Sequence, residues 1–368
     1  MIRWNRAVGF HELHRSCVWR WVVCRLSRGG STACCVIQVD GRETPLFAGD
    51  LAYYRLPRRR WDETLARLRA AHFNAVTVRA PWNWHEPEEG EFDLDGESDP
   101  RRDLRAALTL AAAHGLHIIF CPGPHIGAGW RHGGIPDWLL RSHPEILALD
   151  AQGSRPGLEM CYPPVTYQHP VYEAYVAGWF QALLPLLRSS LRAEGGTLVA
   201  VQIDDRPSYW WGLQEGDPLF VDYNPWIVGQ GGQPGRYQRW LAREYGEIQA
   251  LNQRYRACYR SFDEVQPPRR WPVSHQELPW FSDWRRCKMD LLNEHLEYLY
   301  DWLRQGGIDV PIAILYPYQL PLAARRCADY FRLRGKPVWV VHGCDERPTA
   351  ARRADELALG HVVGTVEL

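Results

Sequence analysis

Short apolar runs alternate with amphipathic stretches along most of this 368-residue chain, from about residue 36 onward. Apolar runs bounded by Gly, Pro and polar residues predict buried strands, and the stretches between them have the spacing of helices. The alternation predicts βαβ units and a parallel sheet, so we expect an α/β protein. The predicted strands are TPLFAGD (44–50), NAVTVRAPW (74–82), HIIFCPG (117–123), LVAVQID (198–204), VPIAILYP (310–317), PVWVVHG (337–343) and HVVGTVEL (361–368).

The number of strands and the long gap after the fourth define the expected domain organisation. Seven strands are one fewer than a (β/α)8 barrel contains, so the sequence predicts a barrel truncated after its seventh strand. Residues 1–35 are basic and rich in Trp, and we expect an N-terminal extension there, ahead of a barrel over 36–368. The connection between the fourth and fifth strands, 206–309, is long enough to insert extra helices. Two further helices are predicted at 61–71 and 103–114.

Composition excludes several classes of partner. The 43 basic and 43 acidic side chains cancel, which gives no electrostatic reason to expect nucleic acid or an anionic membrane. No apolar run reaches the length of a membrane span. The 10 Cys contain no CxxC pair, which favours buried free thiols over a disulfide framework. Without a clear signal peptide, we expect a cytoplasmic rather than a secreted protein.

Carboxylates, amides and aromatic rings follow the ends of the predicted strands, where parallel barrels place their active sites. Without a Gly-rich phosphate loop or metal-ligand spacing, such a rim suits sugar hydroxyls and two-carboxylate glycoside chemistry. The side chains at these ends are Asp50, Tyr53, Tyr54, Arg55, Trp82, Asn83, His85, Glu86, His125, Trp130, Asp204, Asp205, Arg206, Tyr209 and Glu367.

Several of these side chains also have a purely structural interpretation. Glu86 precedes Pro87 and is a candidate cap of a helix or turn. Asp204 is a candidate buried partner of Arg55 or Arg79. Glu367 is a candidate solvated surface residue. The residues alone leave these alternatives open.

Three stretches of the sequence share one family pattern: GDLAYYRLPRRRW, NAVTVRAPWNWHEPEEGEFDLDGESD and GLHIIFCPGPHIGAGWRHGGIPDWLL. Together they resemble the family 35 glycoside hydrolases, the β-galactosidase family. The likeness is dense from about residue 38 to residue 140 and continues through VQIDD and HVVGTVEL. The stretch YGEIQALNQRYRACYRSF resembles a helix pair of the related family 42 β-galactosidases. The resemblance implies a retaining glycosidase on a (β/α)8 TIM barrel, with no cofactor or metal. It implies a terminal β-galactoside of an oligosaccharide or glycoconjugate as substrate.

The resemblance also implies roles at the ends of the fourth and seventh strands. Where the family has a pattern like VQxENE, Asp204 takes the place of the first Glu and Asp205 that of the sugar-binding Asn. Arg206 takes the place of the catalytic acid/base, and Glu367 matches the nucleophile. A guanidinium stays protonated at any working pH, so Arg206 cannot donate a proton to the leaving group. Asp205 is the candidate substitute acid.

Two further positions depart from the family pattern. Arg79 stands where the family has Tyr in TYVPWN, and Gly129 stands where it has Glu in CAEW. The residues expected to bind the sugar are Tyr53, Arg79, Trp82, Asn83, Glu86, His125, Trp130, Asp204 and Tyr209, with Asp205.

Three interpretations of function stay open at this point. The first is a retaining β-galactosidase-type hydrolase, impaired because the acid/base position is Arg206. The second is a catalytically inactive carbohydrate-binding barrel, which Arg206, Gly129 and Arg79 favour. The third is a gene fragment, which the missing eighth strand and the unusual N-terminus favour. For the first, Glu367 is expected to face the end of the fourth strand, beside Arg206.

Overall fold

Six parallel strands form the central sheet of the structure, a computed structural model. It describes residues 19–20, 36–39, 42–126, 130–155, 165–205, 221–316, 321–342 and 366–367. The strands are β1 (Ala48–Asp50), β2 (Ala75–Arg79), β3 (His117–Gly123), β4 (Leu198–Asp205), β5 (Ile312–Tyr316) and β6 (Trp339–His342). Neighbouring strands follow chain order from β1 to β6, and each pair is parallel. Since a doubly wound sheet reverses its strand order and a barrel does not, this order is that of a (β/α) barrel.

The strand predictions hold for β2 to β6 and fail in part for β1. β3 coincides with the predicted range 117–123. The predicted strand 44–50 is two elements, because Arg42–Pro45 pairs antiparallel with Val36–Val39 and only Ala48–Asp50 joins the parallel sheet. Pro45 has no N–H to give to a continuing ladder, which suits the end of a short edge strand.

Ten α-helices occupy the described connections. They are α1 (Trp61–Ala70), α2 (Trp82–His85), α3 (Leu104–Ala113), α4 (Asp137–Ser142), α5 (Pro170–Ser189), α6 (Pro225–Val228), α7 (Arg236–Tyr245), α8 (Ile248–Tyr255), α9 (Leu278–Gln305) and α10 (Pro321–Leu333). α1 and α3 confirm the predicted helices to within one residue. The Asp103 side chain accepts from the backbone N–H of Ala106 at the start of α3, and Gly115, with φ +66°, follows its end.

The β4–β5 connection folds around a hydrophobic core of its own. Trp284 of α9 lies in this core, with its ring 5.1 Å from those of both Tyr223 and Tyr237. Further along the same helix, Leu296 and Leu299 pack in the layer between the helices and the sheet. Helix α9 therefore belongs to both cores and joins the insertion to the barrel.

Side-chain alternation along β2 separates the two faces of the sheet. Val76 and Val78 pack under the surrounding helices, and Ala75 packs with the small inner cluster. Since strand side chains alternate, Thr77 and Arg79 share the inner face with Ala75. The buried guanidinium of Arg79 therefore lies on the inner face of the sheet, at the carboxyl end of β2.

The predicted seventh strand is described only at Val366–Glu367, and there it differs from the expectation. These two residues pair antiparallel with Trp19–Arg20 and not in parallel with β6. Trp19–Arg20 also lies close to β1. The backbone groups of Val366–Glu367 find their partners in the N-terminal extension, which the sequence had not predicted to form a strand.

Two features of the described residues bear on the compositional expectations. Cys121, Cys287 and Cys327 carry buried free thiols, as predicted, whereas the free thiol of Cys258 is exposed. Within the described ranges, none of the helices has the length and apolar character needed to cross a lipid bilayer.

Candidate active site

Three charged side chains meet at the carboxyl ends of β1, β2 and β4. Arg79 Nη1 donates to Asp50 Oδ2 at 2.6 Å, and Arg79 Nε lies 3.6 Å from Asp205 Oδ2. The Arg79 and Asp205 side chains are buried, and that of Asp50 is 21% exposed. We call Asp50, Arg79 and Asp205 the mouth triad. The strand-end prediction placed Asp50 and Asp205 on one rim, whereas Arg79 was expected there as a possible partner of Asp204 and through the family resemblance.

Burial and mutual charge shift the ionisation of this region. Burial acts to lower the pKa of Arg79, but the charges of Asp50 and Asp205 outweigh it and raise that pKa. Burial raises the pKa of Asp50, although Arg79 opposes the shift. Burial and the charge of Asp50 raise the pKa of Tyr54 to about 12, so this neighbour is a neutral phenol. Two carboxyl groups thus share one guanidinium within the triad.

A bulge at the end of β4 decides which aspartate enters the mouth. The register with β5 shifts between Gln202 and Asp205, and Asp204 has a left-handed backbone with φ +48°. The Gln202 amide donates to Asp205 Oδ1 at 3.3 Å, and the Asp205 backbone N–H donates to the carbonyl of His125 at 2.9 Å. Asp205 is thus held toward Arg79. The alternative that Arg79 pairs with Asp204 is wrong.

Asp204 points toward helix α9. Its Oδ1 accepts from the backbone N–H of His125 at 2.9 Å, and its Oδ2 lies 3.3 Å from Nε2 of His295. The side chains of Asp204 and His295 are both fully buried, and the imidazole stacks on Tyr167 with centroids 4.4 Å apart. A carboxylate only accepts, so Nε2 of His295 carries the proton. Asp204 thereby fixes the turn after β3, and its contact with sugar stays a prediction.

Tyr53, Trp82 and Glu86 form a packed layer beside the mouth. The Tyr53 hydroxyl lies 2.6 Å from His85 Nε2, and His85 Nδ1 lies 2.6 Å from the carbonyl of Asp93. Burial lowers the pKa of His85 to about 4, so the ring is neutral, donating from Nδ1 and accepting at Nε2.

The carboxylate of Glu86 has two donors within its own turn. It accepts from the Trp82 indole at 2.5 Å and from the backbone N–H of Gly90 at 2.8 Å. The alternative that Glu86 caps a turn therefore agrees with its contacts. The expected sugar contacts of Tyr53, Trp82 and Glu86 stay predictions.

Asn83 and Trp130 form a partly exposed edge of the same mouth. The indole of Trp130 donates to Oδ1 of Asn83, and its ring meets Tyr54 edge-on with centroids 4.6 Å apart. Tyr54 in turn adjoins the mouth triad. A partly exposed indole next to an amide is a surface on which sugars bind in proteins, so this edge is a part of the predicted rim that a ligand could reach.

The predicted catalytic pair lies outside what the structure describes. Arg206, Tyr209 and Gly129 belong to ranges that are not described, and for Glu367 only the backbone is described. The predictions about their geometry therefore stay predictions. Among the described residues, no group of three or more His, Cys, Asp or Glu is arranged to hold a metal ion.

Sequence reasoning missed two residues of this site. Asp50 was placed on the rim but not among the binding residues, although its position at the end of the first strand was a usable signal. His295 gave no signal, because it lies inside a predicted helix, 91 residues from Asp204.

Comparison with known proteins agrees with this geometry. The model of the family 42 glycoside hydrolases, described as β-galactosidase, matches residues 50–336. An exo-β-D-glucosaminidase of Pyrococcus horikoshii is 40% identical over 282 residues, which are 77% of this chain and 35% of that protein. The mouse β-galactosidase is 31% identical over 166 residues, 45% of this chain and 22% of that protein. The chain spans about a third of the length of the glucosaminidase.

Solved structures match at the level of fold. A β-galactosidase from the psychrophilic Marinomonas ef1 has a TM-score of 0.61 at 19% identity, covering 81% of this chain and 40% of that one. The catalytic domain of a β-amylase from Paenibacillus polymyxa has a TM-score of 0.57 at 12% identity, covering 84% and 82%. The expected α/β barrel is confirmed.

The comparisons also decide between the two families that the sequence resembles. The matching family model is that of family 42, so the assignment to family 35 is not supported, whereas the resemblance to family 42 is confirmed. The model covers most of the chain and contains all three residues of the mouth triad. This chain is therefore a member of the family 42 glycoside hydrolases, the β-galactosidase family.

Proposed function

We propose that this barrel binds a terminal β-linked glucosamine and belongs to an exo-acting retaining glycosidase. The observation that carries the proposal is the mouth triad, in which two carboxylates share one guanidinium. A glucosamine differs from a galactose in the configuration of its C4 hydroxyl and in carrying an ammonium group at C2, which is a cation with three donors. Within the triad two carboxylates face one guanidinium, so an ammonium group bound beside them would add a cation and three donors.

The physical reason is the cost of burying charge without a partner. A carboxylate removed from water is stabilised only by an opposite charge or by donors. Burial raises the pKa of Asp50, and the positive charges of Arg79 and Arg55 oppose that shift, so further positive charge beside Asp50 would favour its ionised form. An ammonium group near Asp50 and Asp205 would balance the charges of the two carboxylates against Arg79 and the ligand. The 40% identity with an exo-β-D-glucosaminidase supports the same sugar.

A β-galactoside is the second candidate substrate, as the sequence analysis expected. The description of the matching family and the similarity to the mouse β-galactosidase favour it. A galactose is neutral and would add no cation beside the two carboxylates. It would have to satisfy both carboxylates through hydroxyl donors alone. The charge count therefore favours the glucosaminide.

The catalytic roles in this proposal come from the resemblance. Glu367 is the proposed nucleophile, and Arg206 occupies the acid/base position. Asp205 has the contacts of an acceptor, since the Gln202 amide donates to it and the positively charged Arg79 lies 3.6 Å away. These contacts favour a role for Asp205 in holding the sugar over a role as substitute acid. The barrel is then a hydrolase that is slow on poor leaving groups.

The experiment compares an aryl β-glucosaminide with an aryl β-galactoside on wild type, Arg206→Glu and Glu367→Gln. With an activated leaving group, attack by Glu367 needs no proton donor. We therefore expect a covalent adduct on wild type with the glucosaminide, detected by intact mass, and none on Glu367→Gln. Arg206→Glu should raise turnover by about 10²–10⁴-fold, the usual contribution of a placed acid.

The other outcomes distinguish the remaining interpretations. A faster reaction with the galactoside would reject the glucosamine assignment and keep the hydrolase. If a folded protein binds glucosamine but gives no adduct, and Arg206→Glu gains nothing, the inactive carbohydrate-binding barrel is correct.

A further inference from the structure

A groove of about 740 Å³ lies between the segment that follows α4 and the start of the β4–β5 insertion. Its lining includes Glu145, His169, Trp226, Gln230, Gln233 and Arg239. We call it the Trp226 groove. Its volume is within the range of pockets that hold small ligands, roughly 300–1,000 Å³. None of its lining residues belongs to the mouth triad or to the predicted catalytic pair.

The walls of the Trp226 groove are held together by buried hydrogen bonds. The side-chain amide of Asn224 donates to the carbonyls of Glu145 and Leu147, at 2.8 and 2.9 Å. The carboxylate of Asp222 accepts from the backbone N–H groups of Asn224 and Leu149, at 2.8 and 3.3 Å. These bonds connect the two walls across about 75 residues of sequence. The groove is therefore a preformed feature of the fold.

Two polar atoms in the groove are buried and lack a partner. Within the part of the chain that the structure describes, neither the indole N–H of Trp226 nor Nδ1 of His169 makes a hydrogen bond. Burial lowers the pKa of His169, although Glu145 opposes the shift, so the ring is a neutral donor and acceptor. Buried polar groups are nearly always satisfied, so these two atoms point to a ligand with hydroxyl or amide groups.

The other side chains define the class of ligand. Trp226 is half-buried and offers an indole beside the exposed amides of Gln230 and Gln233. An indole flanked by amide donors and acceptors suits a sugar ring. The guanidinium of Arg239 lies 5.8 Å from the Trp226 ring, and Arg155 also lines the groove, against the single carboxylate of Glu145. Two cations and one anion disfavour an ammonium group.

A chain of contacts connects the groove to the loop after Glu86. Glu145 Oε1 lies 3.0 Å from His143 Nδ1, and His143 Nε2 lies 3.0 Å from the hydroxyl of Tyr175. That hydroxyl donates to Glu89 at 2.5 Å. Glu89 is in the turn that the Glu86 carboxylate caps, which follows the carboxyl end of β2. The groove and the mouth triad therefore lie at the same end of the sheet.

We infer that the Trp226 groove is a second saccharide-binding site, which takes neutral β-linked hexose units such as N-acetylated glucosamine. The choice of a saccharide rests on the proposed function, whereas the preference for uncharged units rests on Arg155 and Arg239. A ligand that uses both sites has a terminal amino sugar in the mouth and uncharged sugars in the groove.

The test is isothermal titration calorimetry with a β-1,4-linked tetrasaccharide of N-acetylglucosamine. Trp226→Ala is expected to weaken its binding at least about tenfold, which corresponds to roughly 1.4 kcal/mol. The matched control is Trp271→Ala, which removes a 53% exposed tryptophan of the same insertion that does not line the groove. Its affinity should stay within about twofold of wild type. The affinity for the tetrasaccharide of glucosamine should be the same for Trp226→Ala and for wild type.

A double variant, Gln230→Ala with Gln233→Ala, covers the case in which Trp226→Ala fails to fold. Both side chains are exposed, and their turn is held by backbone bonds between the same two residues, so the fold should persist. We expect this variant also to weaken binding of the neutral tetrasaccharide. The inference is overturned if wild type does not bind that tetrasaccharide, or if both folded variants bind it like wild type.

Binding of D-glucosamine, measured on the same proteins, separates this inference from the proposed function. The monosaccharide should bind Trp226→Ala as it binds wild type. If D-glucosamine does not bind, but Trp226→Ala still weakens binding of the tetrasaccharide, the proposed specificity of the mouth triad is wrong and the assignment of the Trp226 groove as a saccharide site is kept. If D-glucosamine binds normally and the tetrasaccharide is indifferent to Trp226, the groove assignment fails alone.

Discussion

Replacing Arg79 by Met tests whether the mouth triad is held together by charge. The guanidinium contacts Asp50 at 2.6 Å and Asp205 at 3.6 Å, and its side chain is 4% exposed. At an effective dielectric constant of about 20, each contact corresponds to roughly 4–6 kcal/mol of attraction, much of it offset by the cost of removing the charges from water. Removing one member of a buried pair leaves the others uncompensated. We expect Arg79→Met to lower the free energy of unfolding by about 3–5 kcal/mol at pH 7.5.

The pH dependence of this loss has a definite sign. Burial already raises the pKa of Asp50, and loss of Arg79 should raise it further, because the guanidinium opposes that shift. The folded variant then binds protons more tightly than the unfolded chain, so its stability falls as pH rises above the ordinary value of 3.8. The penalty should be fully present above the folded-state pKa of Asp50 and should decrease as the pH falls through that pKa.

Urea unfolding at pH 7.5 and close to pH 4 measures both effects. The matched control is Arg67→Met, which removes an arginine that is 72% exposed and pairs with Glu63 at 2.5 Å. This control should stay within about 0.5 kcal/mol of wild type. A loss below about 1 kcal/mol for Arg79→Met at pH 7.5, or an equal loss at both pH values, would refute the reasoning.

Four other predictions follow from the same structure. Burial raises the pKa of the Asp222 carboxyl from 3.8 to about 6, so wild type loses stability as the pH rises through this range, and Asp222→Asn removes that loss. The free energy of unfolding of the variant should therefore rise, relative to that of wild type, by on the order of 3 kcal/mol from pH 4 to pH 7. His295→Ala leaves the buried carboxylate of Asp204 with one fewer donor and should cost about 1–3 kcal/mol in urea unfolding, whereas a loss near zero would show that the pair is unimportant. Trp284→Ala should cost about 3–5 kcal/mol, because the fully buried ring is central to the insertion core; a smaller loss would mean that this core is loosely packed. Calorimetric binding of D-glucosamine should weaken as pH falls from 7 toward 4, because Asp50, with its raised pKa, loses its charge; D-galactose binding, which needs no charge, is the control.

The regular part of the fold was predictable because its signals are local. β3 and the helices α1 and α3 were found nearly to the residue, since apolar periodicity, the capping Asp103 and Gly115 act over a few positions. The hairpin before β1 was not found, because the run 44–50 looks continuous and only pairing with Val36–Val39 divides it. Pairing between strands is a non-local choice that one segment does not reveal.

The site was predicted as a set of positions and not as a set of contacts. Strand ends brought Asp50, Asp204 and Asp205 to one rim and the resemblance added Arg79, but period-two alternation cannot say which aspartate faces Arg79 once a bulge intervenes. The bulge exchanges their roles, so Asp205 joins the mouth triad and Asp204 turns to His295. Contacts of this kind depend on how α9 packs, which no motif in the sequence specifies.

The central claim is that the two carboxylates of the mouth triad, which share one guanidinium, favour an amino sugar through its ammonium group. Isothermal titration calorimetry of D-glucosamine against D-galactose at pH 7 tests it directly, on wild type, Asp205→Asn and the exposed control Asp95→Asn, whose side chain is 54% accessible. We predict that wild type and Asp95→Asn bind D-glucosamine at least about tenfold more tightly than D-galactose, and that Asp205→Asn loses this preference. Equal or tighter binding of D-galactose by wild type, or a preference that survives in Asp205→Asn, would contradict the claim.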